Sequence, residues 1–419
     1  MSGVMLKTAI YGVLRVTFDL LGAPLWWWGA AVLALGLFTA LFGVVFAAVQ
    51  SDMKRLLAYS SIENIGIVFA GIGLVILFHA NQMAPFDALA LAATLYHCLN
   101  HAFFKSLLFL ATGSVLHATH ERSLGKLGGL IRPMPWVAWL ALIGTLAIAG
   151  LPPLNGFVSE WLLLQAFLFT PGIPQPFANM LVPLGAAALA LTAALAGYVM
   201  VKFYGVIFLG QMREPQLAQA RDCGRLERAA LLWLAAGCVL LGLAPVTVLN
   251  LLDHVNMQLL GVPLGDLGSA GWWQLAPISP ERASYSPIVF LFGVVLVVVV
   301  TFYGIRRVYH GRMRRAAPWD CGYPLQTPRM QDTAEGFGQP IRHIFEPFFR
   351  IQREVPSPFD TAPRYSMIVE DRFWYALYQP LADVVYKAAG LVGRLQQGRI
   401  SAYLLYNFLT LVVLLVIVL

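Results

Sequence analysis

The sequence predicts an all-α polytopic membrane protein with about nine transmembrane helices. Hydrophobic residues make up 59% of the 419-residue chain, and charged residues make up only 12%. Soluble domains carry about 25% charged residues, so this composition is typical of an integral membrane protein. Apolar runs of about 20 residues recur along the chain, which is the length of a membrane-spanning helix.

The nine predicted spans are residues 1–21, 25–50, 56–79, 86–118, 136–170, 184–209, 229–250, 287–305 and 403–419. With these spans, lysine and arginine cluster in the loops after the second, fourth, sixth and eighth span. The loops after the first, third and fifth span contain neither residue, and the loop after the seventh has only Arg282. Because positive charge marks cytoplasmic loops, the amino terminus and segment 306–402 are predicted to be cytoplasmic. The net charge of +7 therefore reflects topology and does not indicate nucleic-acid binding.

The sequence contains no motif for a metal, a cofactor or a catalytic centre. Its four cysteines, Cys98, Cys223, Cys238 and Cys321, form no C-x-x-C pair and no metal-ligand spacing. That pattern argues against an iron–sulfur cluster, a zinc site or a disulfide framework. No glycine-rich nucleotide fingerprint follows a strand pattern either. Any redox chemistry is therefore expected on another subunit.

Glu160 is the foremost candidate site residue. It is the one charged residue in the apolar fifth span, and Pro152-Pro153 precedes it. Proline removes a backbone donor and clashes with the preceding turn, so the pair predicts a broken helix. A carboxylate beside a helix break at membrane depth typically marks an ion or proton pathway. The alternative is a structural carboxylate that pairs with a neighbouring helix.

His97, His101 and Lys105 are spaced by four residues and therefore lie along one face of the fourth span. Lys105 lies too deep in this span for its ammonium group to reach the interface easily. Histidine titrates near neutral pH, and a buried lysine can gain and lose a proton, so this column suits proton transfer. Two alternatives exist. The histidines could merely bind neighbouring helices, or they could form a metal pair, for which no further ligand has suitable spacing.

Two other lysines fall within apolar runs. Lys7 lies near the chain start, where it either joins the pathway or reaches the interface as a flanking lysine. Lys202 lies in the sixth span near Tyr198 and Tyr204, and it either takes part in the pathway or extends to the interface.

The carboxyl-terminal third differs in kind from the rest. Residues 251–305 contribute one further span, and segment 306–402 is charged and rich in proline. Within it, residues 365–395 mix apolar and charged residues at helical spacing. This predicts either an amphipathic helix on the membrane surface or a cytoplasmic loop with a short helix. Residues 403–419 form a final span without charge.

Several segments together resemble the antiporter-like family. They are MLKTAIYGVLRV, QSDMKRLLAYSSIENIGIVFAGIGL, HCLNHAFFKSLLFLATGSVLHAT and LGKLGGLIRPMPWVAWLALIGTLAIAGLPPLNGFVSEWLLL. Members of this family are the proton-pumping membrane subunits of respiratory complex I, Mrp-type sodium/proton antiporters and energy-converting hydrogenases. Segment 318–350, PWDCGYPLQTPRMQDTAEGFGQPIRHIFEPFFR, is similar to the branch that includes hydrogenase-4 and formate hydrogenlyase.

The resemblance implies a core of two inverted repeats, each with a broken helix, of which residues 1–250 supply the second repeat. It implies that Lys7 links two half-channels, that His101 and Lys105 relay protons, and that Glu160 is the charged residue of the broken helix. The first seven family helices have no counterpart in the sequence. We therefore expect an amino-terminally truncated chain, and three explanations stay open: a split gene, a mis-set start, or a fragment that pairs with another polypeptide.

The predicted function is that of a proton-translocating membrane subunit of a hydrogenase or complex-I-like oxidoreductase in the bacterial inner membrane. The expected partners are other membrane subunits, a peripheral redox arm and lipid. Two alternatives stay open: a non-pumping membrane anchor for a redox complex, and a subunit of a sodium/proton antiporter.

Overall fold

The computed structural model describes residues 2–22, 24–168, 172–265, 271–277, 284–312, 319, 321–323, 325–328, 330–361, 366–393 and 398–418. The chain divides into two compact units, Met1–Ile341 and Arg342–Leu419. The first unit contains most of the long apolar helices. The second contains a short hairpin and two further helices.

The described residues form thirteen α-helices and a single two-stranded sheet. The helices are α1 (Met5–Arg15), α2 (Trp26–Val49), α3 (Met53–Ala80), α4 (Ala84–Thr119), α5 (Pro135–Ile148), α6 (Asn155–Leu168), α7 (Pro176–Phe208), α8 (Arg225–Leu243), α9 (Pro245–Leu260), α10 (Pro287–Val308), α11 (Ala334–Ile344), α12 (Gln379–Gly393) and α13 (Ile400–Val418).

Seven of the nine predicted spans coincide with described helices that are long and apolar enough to cross a membrane, namely α2, α3, α4, α7, α8, α10 and α13. The other two consist of shorter helices. The first span comprises α1 and a π-helical turn, Val16–Leu20, and the fifth is divided into α5 and α6. The structure therefore confirms an all-α polytopic membrane protein whose fifth span is broken.

The seventh span ends earlier than the sequence predicts. α8 ends at Leu243 and α9 begins at Pro245, whereas the apolar pattern predicted one helix over residues 229–250. Pro245 has no backbone N–H and cannot continue the hydrogen bonding of α8, but it suits the first position of a new helix. Hydropathy does not reveal this break because the residues on both sides of it are apolar.

α2 and α3 pack backbone against backbone through small residues. A Cβ atom on Gly36 would lie 2.3 Å from the backbone nitrogen of Ala70, and one on Gly66 would lie 2.3 Å from that of Ala40. Similar contacts are made by Gly29, Gly43 and Gly73. Small residues permit this close approach, and dispersion contacts then hold membrane helices together. The contact fixes α3 beside α2 and so positions the side chains that α3 turns toward α4.

The basic loops gather at one end of the first unit, which we call the basic face. Arg122 Nε lies 3.1 Å from Asp52 Oδ2, and a guanidinium nitrogen of Arg213 donates to the carbonyl oxygen of Leu127. These contacts join the loops after α2, α4 and α7. The carboxyl-terminal ends of α3 and α6 lie at the opposite end of the first unit, which we call the lysine-poor face. This arrangement agrees with the predicted alternation of charge.

The second unit contains a β-hairpin. Strands β1 (Phe349–Glu354) and β2 (Ser366–Asp371) pair antiparallel, with Phe349 opposite Asp371. A π-helical turn, Trp374–Tyr378, leads into α12. The helical part of segment 365–395 is therefore shorter than its residue spacing predicts. Residues 366–371 pair with a partner strand, which the periodicity along one segment does not reveal.

Candidate functional site

The break in the fifth span has a tightly packed backbone. The linker between α5 and α6 contains Pro152–Pro153, joined by a cis peptide bond, and Gly150, which adopts a left-handed conformation (φ 64°). A Cβ atom on Gly156 would lie 1.9 Å from the carbonyl oxygen of Ala147, so only glycine fits at this crossing. The second half of the broken helix, α6, carries the predicted carboxylate.

α4 carries a stripe of polar side chains on its buried side. Asp87, Thr94, His101, Lys105 and Thr112 follow one another at intervals of 7, 7, 4 and 7 residues, so they lie in one narrow strip of the helix. Each of them is at most 2% exposed. His101 and Lys105 of the predicted column thus belong to a longer polar stripe that runs along most of the helix.

Lys7 reaches this stripe from α1. Its Nζ atom lies 2.5 Å from Nδ1 of His101 and donates to the carbonyl oxygen of Ser2 at 2.8 Å. When Lys7 is charged it can only donate, so Nδ1 accepts and the neutral imidazole carries its hydrogen on Nε2. The structure thus joins two predicted site residues that are 94 positions apart in the sequence.

Lys105 is fully buried between α4 and α3. Its Nζ atom donates to the carbonyl oxygen of Leu57 at 3.1 Å, and the hydroxyl of Ser61 donates to the same oxygen at 2.9 Å. Ser61 Oγ lies 2.6 Å from Ser2 Oγ, next to Lys7. Ser2, Ser61 and the carbonyl group of Leu57 therefore lie between the two lysines.

A second polar network joins α4 to α6. Asn100 Nδ2 donates to the carbonyl oxygen of Asn155 at 2.8 Å and to Ser159 Oγ at 3.0 Å. His97 Nδ1 lies 3.1 Å from the same hydroxyl. These contacts hold the second half of the broken helix against the polar stripe. Sequence reasoning missed the two asparagines and the serine, because neutral polar residues in an apolar run become informative only once their partners are known.

Glu63 of α3 is a buried carboxylate that sequence reasoning also missed. Its side chain is 2% exposed, and its charge acts on both Lys105 and Glu160. The available signal was the one that identified Glu160: a single carboxylate within a long apolar helix. Glu63 brings a second proton-binding group into the space between α3, α4 and α6.

Glu160 lies in the second turn of α6, beside the break. Its Oε2 atom is 2.8 Å from the position that a Cβ atom would occupy on Gly150. No basic side chain pairs with Glu160 in the described part of the chain. The charge that acts on it is that of a second carboxylate, Glu63. A proton on either carboxyl group relieves the repulsion between the two.

Lys202 is equally buried but has different surroundings. Its Nζ atom donates to the carbonyl oxygens of Ala48 at 2.8 Å and Gln50 at 2.6 Å, at the end of α2. The last carbonyl groups of a helix lack partners within that helix, and Lys202 supplies them here. The hydrogen bonds described for Lys202 therefore lie at the end of α2.

Several buried polar atoms around the stripe lack a hydrogen-bond partner among the described residues. They are Nε2 of His97 and His101, Oδ1 of Asn100 and Asn155, and Oε2 of Glu63. Leaving such an atom unpaired costs about 1–3 kcal/mol, and internal water is the usual partner of such groups. The site therefore suits a hydrated path lined by amine, imidazole and carboxyl groups. The described residues include no group of three or more His, Cys, Asp or Glu side chains that could hold a metal ion.

The fold and the site together define a polytopic membrane protein of the antiporter type, with a broken helix beside a buried column of protonatable groups. Residues 1–172 match the model of the family described as NADH:quinone oxidoreductase/Mrp antiporter, TM. The amino-terminal part of the chain is therefore similar to this family of membrane subunits.

Two curated relatives are similar over most of this chain. The sequence is 33% identical over 431 residues to hydrogenase-4 component B of Escherichia coli (strain K12), covering 99% of this chain and 63% of the relative. It is 36% identical over 357 residues to formate hydrogenlyase subunit 3 of the same strain, covering 84% of this chain and 55% of the relative. The chain therefore spans little more than half the length of these relatives.

A solved structure shares the fold. It is that of the membrane-bound sulfane sulfur reductase, an archaeal respiratory membrane complex. The match has a TM-score of 0.68 at 23% identity and covers 99% of this chain and 62% of the other. At this level of identity, the similarity concerns the fold alone.

Proposed function

We propose that this protein is a proton-translocating membrane subunit of a membrane-bound hydrogenase or complex-I-like oxidoreductase. The observation that carries the proposal is the 2.5 Å contact between Lys7 Nζ and His101 Nδ1, one helical turn from the fully buried Lys105. Ionisable groups at membrane depth are costly and typically belong to ion or proton pathways. The similarity to hydrogenase-4 component B and formate hydrogenlyase subunit 3 supports the choice of complex.

The imidazole of His101 can pass a proton from one nitrogen to the other. Nδ1 accepts a proton from the Lys7 ammonium group, and the hydrogen on Nε2 is then released, which leaves a neutral ring. Lys105, one turn further along α4, takes up this proton when its amine is uncharged. The unpartnered Nε2 atom of His101 is the point from which the proton leaves.

Glu63 and Glu160 continue the path beyond Lys105. The positive charge of Lys105 acts on the Glu63 carboxylate, which in turn acts on Glu160. Because two nearby carboxylates repel each other when both are charged, the pair takes up one proton more readily than a lone carboxylate would. In this proposal Glu160, beside the helix break, is the exit-side acceptor. His97 supports α6, and Lys202 is a structural residue.

The remaining parts of the chain connect the core to partners. Residues 1–250 are the translocation core, 251–305 add a transmembrane helix, 306–402 form the cytoplasmic segment and 403–419 the last span. α10 is apolar, and the residue that it buries within the described chain is Pro287 at its start. A spanning helix with so little packing requires lipid or another membrane subunit as its neighbour.

A groove beside Lys7 supports a further membrane partner. It has a volume of about 800 Å³ and is lined by apolar side chains and by hydroxyl groups, among them Ser2, Leu6, Ser61 and Ser106. In this proposal a neighbouring polypeptide covers the groove and extends the path beyond Lys7. A peripheral redox arm drives translocation across a bacterial inner membrane.

The substitution Glu160→Gln in the intact complex tests the proposal. Glutamine keeps the size and polarity of the side chain but cannot take up a proton. Proton translocation into vesicles, followed with a pH-sensitive dye, is therefore expected to fall about 100-fold or more while the complex still assembles. The control, Glu227→Gln, removes an exposed carboxylate at the start of α8 and should leave translocation unchanged. Undiminished translocation in Glu160→Gln would eliminate the proposed path.

The same assay separates the two other functions. A membrane anchor gives no translocation even in the wild-type complex. A sodium/proton antiporter subunit gives translocation that needs sodium ions and no redox turnover. Mass spectrometry of the subunits that co-purify from native membranes identifies the redox partner. Hydrogenase or dehydrogenase subunits would support the proposal, and their absence would contradict it.

A further inference from the structure

The polar stripe of α4 continues past the relay to the lysine-poor face, where it ends at Asp87. From Lys105 to Asp87 the helix rises about 27 Å, which is close to the thickness of the hydrocarbon core of a bilayer. Thr94 lies between them and is 1% exposed. Its hydroxyl occupies space left by Gly71, where a Cβ atom would lie 2.1 Å from Oγ1. α4 therefore carries buried polar groups from the relay to that face.

Asp87 is buried, but its partner is open to water. Asp87 Oδ2 lies 3.1 Å from Nδ1 of His79, at the end of α3. The side chain of Asp87 is 2% exposed, whereas that of His79 is 33% exposed. Oδ1 of Asp87 is buried and has no hydrogen-bond partner among the described residues. The pair thus has one member inside the protein and one at its surface.

A purely structural role of the His79–Asp87 pair does not explain the unpartnered oxygen of Asp87. Asp87 lies in the first turn of α4, where a carboxylate can accept from free backbone N–H groups. The hydrogen bond described for its side chain goes to His79 instead. A pair that merely joined α3 to α4 would gain nothing from a buried, unpartnered oxygen, which is costly to desolvate.

We propose that His79 and Asp87 form an outer exchange pair, at which protons pass between the α4 stripe and the water on the lysine-poor face. This inference rests on the proposed function above. In the outward direction, the Asp87 carboxyl group gives its proton to Nδ1 of His79, so an O–H bond breaks and an N–H bond forms. The imidazolium then releases the hydrogen on Nε2 to water. One proton enters the pair and one leaves it.

Other charged groups lie on the elements that pack around this pair. The π-helical turn after α1 contacts the histidine ring through Phe18, with ring centroids 5.8 Å apart. That turn also carries Asp19, which pairs with Arg15 at 2.6 Å. α9, which packs against the start of α4, carries Asp253 and His254. Asp19 is the best matched control because its carboxylate is partly exposed and already paired with arginine.

The first test compares three substitutions in the intact complex. Asp87→Asn is expected to lower proton translocation roughly tenfold or more, because asparagine cannot carry a proton. Asp87→Glu, which restores the carboxyl group, should recover most of the rate, and Asp19→Asn should match the wild type. The amount of assembled complex is measured in each case. Normal translocation by an assembled Asp87→Asn complex would overturn the inference.

A second test determines from which side of the membrane position 79 is accessible to water. His79→Cys is introduced together with Cys321→Ser, and a charged thiol reagent that cannot cross the membrane is added to one side of sealed vesicles. Modification of residue 79 from the lysine-poor face alone is expected. Modification from the basic face, or from neither face, would contradict an outer exchange pair even if Asp87→Asn prevented assembly.

The outcomes also separate this inference from the proposed function. If Glu160→Gln abolishes translocation while Asp87→Asn leaves it unchanged, protons leave the protein elsewhere and only the exchange pair is wrong. If both substitutions leave translocation unchanged, the proposed path itself is wrong.

Discussion

Lys105 and Lys202 are both fully buried among membrane helices, yet their neighbours differ. Lys202 donates to two carbonyl oxygens at the end of α2. Lys105 donates to one carbonyl oxygen within α3, lies one turn from His101 and is influenced by the charge of Glu63. Burial therefore does not by itself identify a lysine that carries protons. The chemistry of the neighbouring groups determines whether a buried lysine can exchange protons.

The difference is chemical. A backbone carbonyl oxygen can accept a hydrogen bond but does not exchange protons with an ammonium group, so these two neighbours of Lys202 cannot take a proton from it. Imidazole groups bind and release protons near neutral pH, and carboxyl groups do so when burial raises their pKa toward that range. Lys105 thus has partners with which it can exchange, whereas Lys202 supplies hydrogen bonds to an otherwise unpaired helix end.

The largest expected effect on assembly is that of Lys202→Met. The substitution keeps the length of the side chain but leaves buried carbonyl groups of α2 without this donor. Each such group costs about 1–3 kcal/mol. The amount of assembled complex in membranes should therefore drop strongly, whereas translocation per assembled complex should remain close to wild type. Normal assembly with lost translocation would instead make Lys202 a member of the path.

A smaller effect is expected for Glu63→Gln, which tests the carboxylate side of the comparison. Glutamine removes the charge beside Lys105 and the second proton acceptor beside Glu160. Translocation should slow roughly tenfold, less than in Glu160→Gln, because water can bridge the remaining gap. Initial rates of dye response per assembled complex measure this, with Glu227→Gln as the control. A wild-type rate would remove Glu63 from the path.

Much of the fold was accessible from the sequence. Apolar length and the alternation of basic loops predicted the spans, because a bilayer imposes both constraints on each segment separately. The break beside Glu160 was predicted because proline acts locally. The end of α8 at Leu243 was not predicted, because Pro245 begins a new helix within an uninterrupted apolar run.

The site was only partly accessible, because its contacts are long-range. The spacing of His101 and Lys105 made them candidates and the resemblance added Lys7, but no local pattern predicts that Lys7 contacts a residue 94 positions away. Glu63 could have been predicted from the signal that identified Glu160, namely a single carboxylate within a long apolar helix. The partner of Lys202, the end of α2, lies more than 150 positions earlier in the chain, and no local pattern predicts that contact.

The most direct test of the central claim is the number of protons translocated per redox turnover by the intact complex, in wild type and in Lys105→Met. Methionine keeps the apolar stem of the lysine and removes the amine. The proposed path predicts that the assembled Lys105→Met complex translocates fewer protons per turnover, because this subunit no longer contributes any. A matched Glu227→Gln complex should show no loss. An unchanged number of protons per turnover in Lys105→Met would contradict the claim that protons pass along the polar stripe of α4.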